Sequence, residues 1–186
     1  GTDYSTISNI TISAGSTTGT TSFTPINDTT YEIDETAIIS ISGVSGADAA
    51  EDGVQSETIT LSADGDAAPT VTLATSATTI DEDAGSSLTL TATLSNATNE
   101  DVTVGISTSG TGTEGTDYST VSDITISAGS TTGTASFTPT DDNVYEGNET
   151  GIVAISTVSG GSATEDGTQS VTITITENES APTVTL

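Results

Sequence analysis

The sequence predicts an all-β protein, built of tandem seven-stranded antiparallel β-sandwich domains arranged end to end. Three observations carry this expectation. β-branched and other apolar residues alternate with Thr and Ser over runs of five to eight residues, the period of a half-buried strand. No apolar stripe at helical spacing survives a count. A long segment also occurs twice: GTDYSTISNITISAGSTTGTTSFTP at 1–25 returns as GTDYSTVSDITISAGSTTGTASFTP at 115–139. APTVTL at 68–73 returns at 181–186. A period of this length exceeds a solenoid unit and matches a small domain. The expected organisation is therefore the C-terminal part of one repeat at 1–67, a complete repeat at 68–180, and the first strand of a following repeat at 181–186.

Within the complete repeat the strands are read in order. Thr70–Thr75 opens it. Ser87–Leu94 reads SLTLTATL, with Leu88, Leu90, Ala92 and Leu94 on one face. Asp101–Ser107 aligns Val102, Val104 and Ile106. Asp123–Ser127 and Thr134–Thr138 place Ile124 and Ile126, then Ala135 and Phe137, toward a core. Gly151–Thr157 is apolar on both faces, as a central strand would be. Ser170–Thr176 alternates Val171, Ile173 and Ile175 with Thr. Seven short strands with turn signals between them indicate two packed layers. Outward Thr keeps strand propensity high and the surface polar. The partial repeat at 1–67 lacks opening strands, which points to a window of a longer array or to strands supplied by another chain.

Charge narrows the function classes. The chain has 27 Asp and Glu and no Lys, Arg or His, for a formal net charge of -27. No intramolecular salt bridge between side chains can form, so each acidic cluster must be solvated, protonated, hydrogen-bonded or neutralised by bound cations. Nucleic acid and anionic lipid are unsuitable partners, because nothing here displaces counterions from phosphates. Disorder, often signalled by such acidity, is contradicted by the strand periodicity. The absence of Cys removes disulfides and thiol chemistry. With Thr, Ser and Gly abundant, this composition suits a secreted, surface-associated bacterial protein.

The acidic residues gather in loops. Three clusters stand out in the complete repeat: Asp81-Glu82-Asp83, the run DDNVYEGNE at 141–149, and Glu177-Asn178-Glu179, with Asp117 apart in GTDY. Like charges a few ångströms apart repel by roughly 1–4 kcal/mol per pair. Convergence of six or seven carboxylates calls for hard divalent cations with six to eight oxygen ligands, which favours calcium over magnesium. Zinc and copper lack their usual His and Cys ligands. Solvated turns on an acidic surface are the plain alternative.

The run DDNVYEGNE, preceded by GTDY and an FTP-containing strand, resembles the Calx-β domain family. Ile80-Asp81-Glu82-Asp83-Ala84-Gly85 is similar to that family's opening pattern. The resemblance implies a seven-stranded sandwich with calcium bound in the loops at one pole, as in sodium/calcium exchangers and in tandem arrays of bacterial adhesins. Carried over by position, it implies as ligands Glu82, Asp117, Asp141, Asp142, the Val144 carbonyl, Glu146 and Glu149. The exit stretch would add Glu177 and Glu179. In the preceding repeat the matching residues are Asp3, Asn27, Asp28, the Thr30 carbonyl, Glu32 and Glu35, with Asp64 or Asp66 at the exit. Asn27 there replaces a carboxylate, so weaker binding is expected.

Other motifs carry less. The loop at 81–85 lacks the twelfth-position Glu of an EF-hand. A carboxylate pair could serve a glycosidase, yet four Tyr, two Phe and no Trp leave no aromatic platform. Without His, Cys or Lys the choice of general base and activated nucleophile is narrow, so no enzyme is expected. Asn-x-Ser/Thr matches at Asn9, Asn27, Asn96, Asn148 and Asn178 are expected by chance in this composition. The expected function is a calcium-binding extracellular stalk or fibre. Its partners would be neighbouring repeats of the same chain, or identical chains in a fibre. The alternatives are a calcium-responsive regulatory module and a filament subunit assembled by strand exchange.

Overall fold

The computed structural model describes residues 3–63 and 65–186, and no helix forms among them. The chain divides into two compact units. The first holds the segments up to Thr29 and from Ile33 to Gly65; the second holds Thr30–Glu32 and Asp66–Leu186.

The first unit contains an antiparallel hairpin of β1 (Glu35–Ser40) and β2 (Ser56–Leu61), in register from Glu35 opposite Leu61 to Ser40 opposite Ser56. Tyr4 bridges to Pro25, and its ring lies 4.9 Å from that of Phe23. Among the first unit's described residues Ala37 is the buried apolar side chain.

The second unit is a two-sheet sandwich. Its strands are β3 (Thr70–Thr75), β4 (Thr79–Asp81), β5 (Leu88–Leu94), β6 (Val102–Gly110), β7 (Ile124–Ile126), β8 (Thr132–Phe137), β9 (Glu149–Ser159), β10 (Thr164–Glu165) and β11 (Ser170–Thr176). One sheet has the order β10-β3-β5-β8 and the other β4-β11-β9-β6-β7. The inward residues of the two sheets interdigitate: Val71, Leu90, Ala92 and Leu94 from the first meet Val102, Val104, Ile124, Ile126, Val153 and Ile173 from the second. Tyr118 and Phe137 stack with centroids 4.6 Å apart. Gly151 permits that pair, because a Cβ there would lie 2.7 Å from the Phe137 ring. The strand read from sequence as central is central: β9 lies between β11 and β6.

Two features depart from an expectation of seven antiparallel strands. β4 and β10 are additional, and both pair parallel, β4 with β11 and β10 with β3. The opening strand is split between the sheets: β3 joins one layer between β10 and β5, the chain steps across Ser76–Thr78, and β4 joins the edge of the other. β4 (TID) carries a single apolar residue and β10 (TE) none, so neither shows the alternation that made the equally short β7 legible. The switch matters for function, because parallel pairing brings the end of β4 to the end of β11.

Candidate metal centre

Three strand termini meet at one pole of the second unit. Asp81 pairs with Thr176 at the close of β4 and β11, and the next N–H, that of Glu82, donates to the Thr176 carbonyl at 3.0 Å. Glu82 therefore stands beside Glu177. Ile175 pairs with Glu149, so β9 begins where β11 ends. The loop 141–148 runs into β9 and covers the same pole. Asp117 arrives from the GTDY turn, anchored by the buried Tyr118; the Asp117 N–H donates to Thr113 O at 2.9 Å and its Oδ2 accepts from Thr113 N–H at 2.5 Å.

Seven carboxylates cluster here in three overlapping groups: Glu82 with Glu177 and Glu179, Glu82 with Asp142 and Glu146, and Asp117 with Glu146 and Glu149. Within each group one oxygen per residue lies within 4.8 Å of the others. Glu82 and Glu146 are shared, so the groups form a continuous acidic track. Glu82 is only 8% exposed. Asp141 is outside these groups but accepts from Asn178 Nδ2 at 3.2 Å. Val144 donates its N–H to Asp142 Oδ1 at 2.6 Å, which turns the loop back on itself.

Backbone donors and two amide side chains hold the track. Glu177 Oε2 accepts from the N–H groups of Glu146 at 2.6 Å and Gly147 at 2.8 Å. Its Oε1 accepts from the N–H groups of Asn178 and Glu179, at 3.1 and 3.0 Å. The Glu177 N–H donates to Asn148 Oδ1 at 3.1 Å. Sequence reasoning had not singled out Asn148 and Asn178 as scaffold. The signal was present, since Asn178 sits between Glu177 and Glu179 and Asn148 directly precedes Glu149, where a short amide can bridge two loops.

Proton affinities follow this wiring. Backbone donation, first from Glu179 and then from Glu146, lowers the Glu177 carboxyl to about 2. Glu149 is raised to about 7 by burial and then by the charges of Asp117 and Glu146. Glu179 is raised to about 7 by its hydrogen bond with Glu177, then by burial. Glu82 is raised by burial, and Glu146 by loss of water and the charge of Asp117. The Oε2 atom of Glu179 is buried without a hydrogen-bond partner.

A stability trend follows for the metal-free chain. Glu149 and Glu179 bind protons more tightly folded than unfolded, where Glu titrates near about 4.3. Between about pH 4.3 and about 7 the folded state holds more protons, so stability falls as pH rises. Glu177 acts oppositely, and its contribution is lost as pH falls from about 4.3 toward about 2. Thermal melts in chelator should give a higher midpoint at about pH 5.5 than at about pH 8; the reverse order would refute this reading of the pole.

The corresponding residues of the first repeat are placed differently. Asp3, Asp28 and Glu35 belong to the first unit, whereas Thr30, Glu32 and Asp66 belong to the second. Among the described residues no group of three acidic ligands forms around any of them. The strand that delivers Glu82 has no counterpart among the first unit's described residues. Asp64 lies outside the described residues.

The family model described as Calx-beta domain matches residues 64–179. Among solved structures the chain is similar to one titled "Crystal structure of Apo-form Calx CBD1 domain", at 16% identity and a TM-score of 0.49; the match covers 60% of this chain and 99% of that one. A search of curated proteins finds no match.

Proposed function

The chain belongs to the Calx-beta domain family, a calcium-binding β-sandwich family, and from that premise we propose that it is a calcium-clamped module of an extracellular stalk. The observation that carries the reading is the acidic track from Glu177 to Asp117, in a chain with no cationic side chain. The residues fit the ion. All the donors are oxygens, the loops supply them from several directions, and the buried Oε2 of Glu179 has no partner of its own. Glu82, Asp117, Asp142, Glu146, Glu149, Glu177 and Glu179 would hold calcium, with Asp141 and the Val144 carbonyl adjoining. When bound, calcium neutralises the carboxylates and ties the ends of β4, β9 and β11 together.

The wider role rests on the repeat. Residues 1–67, 68–180 and 181–186 are read as parts of three successive domains, and the role proposed for their array is spacing rather than catalysis. Glu177 and Glu179 directly precede the next APTVTL segment, so metal at this pole would also stiffen the exit. Location outside the cell supports such sites, because calcium there is abundant enough for affinities near millimolar. Near-identical tandem copies favour a spacer over a regulatory module, which needs one or two tuned sites. Small-angle scattering of the chain with calcium and then with chelator tests the proposal. Larger maximum dimensions and a sharper profile are expected with calcium; identical profiles would sink the spacer role.

A further inference from the structure

The middle of the acidic loop occurs twice, as Thr30-Tyr31-Glu32 and as Val144-Tyr145-Glu146. The first copy is seated within the second unit. Tyr31 forms a parallel bridge with Thr98. Its N–H donates to Ala97 O at 2.8 Å, and its carbonyl accepts from Asn99 N–H at 3.2 Å.

The receiving loop is firmly built. Thr98 is almost fully buried, and its carbonyl accepts from Gly129 N–H at 2.8 Å. Gly161 packs so closely on it that a Cβ there would lie 2.6 Å from the Thr98 side chain. The Gly161 N–H in turn donates to Glu100 Oε2 at 3.0 Å. The loop also sits beside the entry to its own domain: Asn96 Nδ2 donates to Ala67 O at 3.0 Å, and Ser95 N–H donates to Thr70 O at 2.9 Å.

Tyr145, in the equivalent loop position, lacks such a seat among the described residues. It is 45% exposed, and its backbone makes no hydrogen bond among the described residues. We infer that Val144–Glu146 is a docking strand for a following repeat: Tyr145 forms with that repeat's counterpart of Ala97-Thr98-Asn99 the bridge that Tyr31 forms here. The tether supports the match, since 36 residues lead from Tyr145 to Ala181 and 37 from Tyr31 to Ala68. Two main-chain hydrogen bonds set the register, as in strand addition. Glu146, in the same tripeptide, donates its N–H to Glu177, so the acidic pole and the docking strand share one stretch of backbone.

The inference rests on the tandem-array reading but not on calcium. Its test compares the chain ending at Leu186 with the same chain extended by a copy of its own residues 74–180, using amide hydrogen exchange. Protection of the Tyr145 N–H should rise by about 100-fold in the extended chain. Equal exchange in both overturns the docking. A second arm needs no extension. Tyr31→Pro deletes the donated N–H, and Asn99 should lose about tenfold or more of its protection while Leu90 and Ile173 keep theirs. Unchanged Asn99 protection also overturns it. Both arms are run in chelator and in calcium. A flat calcium titration with a protected Tyr145 sinks the metal reading alone, and bound calcium with an unprotected Tyr145 sinks the docking alone.

Discussion

Calcium added to the metal-free chain should raise its unfolding midpoint by about 10 °C at a hundredfold excess over the dissociation constant. A ligand at that excess, binding only the folded state, stabilises by about 2.7 kcal/mol. For a domain near 120 residues each kcal/mol moves the midpoint by roughly 3–5 °C. The pole makes this one of the largest single effects available to the molecule. Glu82 lies in one acidic group with Glu177 and Glu179 and in another with Asp142 and Glu146, with no cationic side chain anywhere in the chain to offset them. Magnesium at the same concentration should do less, because it demands a tighter octahedral arrangement and sheds water reluctantly. Binding must also displace protons from Glu149 and Glu179, each raised to about 7. Calorimetry near neutral pH in buffers of different ionisation enthalpy should therefore show release of about one proton per chain. A midpoint indifferent to millimolar calcium would remove the metal centre.

The strands and the site differ in how far they could be read from sequence. β3 and β11 fall on their expected residues because each alternates over six or seven positions against a single core. β4 and β10 are set by pairing with strands far away in sequence, and no local pattern announces them. The same limit applies to burial. Ile10 and Ile12 repeat the sequence context of Ile124 and Ile126, yet the first pair is 56% and 58% exposed and the second 0%. β7, which carries the second pair, is flanked by β6 and packs against β8 of the opposing sheet, strands with no counterpart among the first unit's described residues. Alternation marks a face, and only the opposing sheet makes it a core. The acidic loops were legible as clusters. That Glu82 and Glu177 share a pole came from the family resemblance and not from local pattern, because their proximity depends on β4 crossing to the second sheet.

Glu149→Gln should move the two stabilities in opposite directions. In the metal-free chain Glu149 carries its proton up to about pH 7, held by burial and by the charges of Asp117 and Glu146. A Gln amide reproduces that neutral state, and its NH2 group can still donate to Asp117. One of the mutually repelling carboxylates is thereby removed, so in chelator at about pH 8 the variant should melt a few degrees higher than the parent. In calcium the same change deletes a charged ligand from the Asp117–Glu146–Glu149 group. Even partners one layer outside a metal's ligands typically contribute 10–100-fold to affinity, so titration calorimetry should show a loss of at least about tenfold. The midpoint gained with calcium should shrink accordingly. A site built only as a solvated acidic turn would give no affinity change, and a carboxylate needed for packing would lower both midpoints together. Only a pole that folds under electrostatic repulsion and is relieved by a cation yields a variant more stable empty and less stable filled.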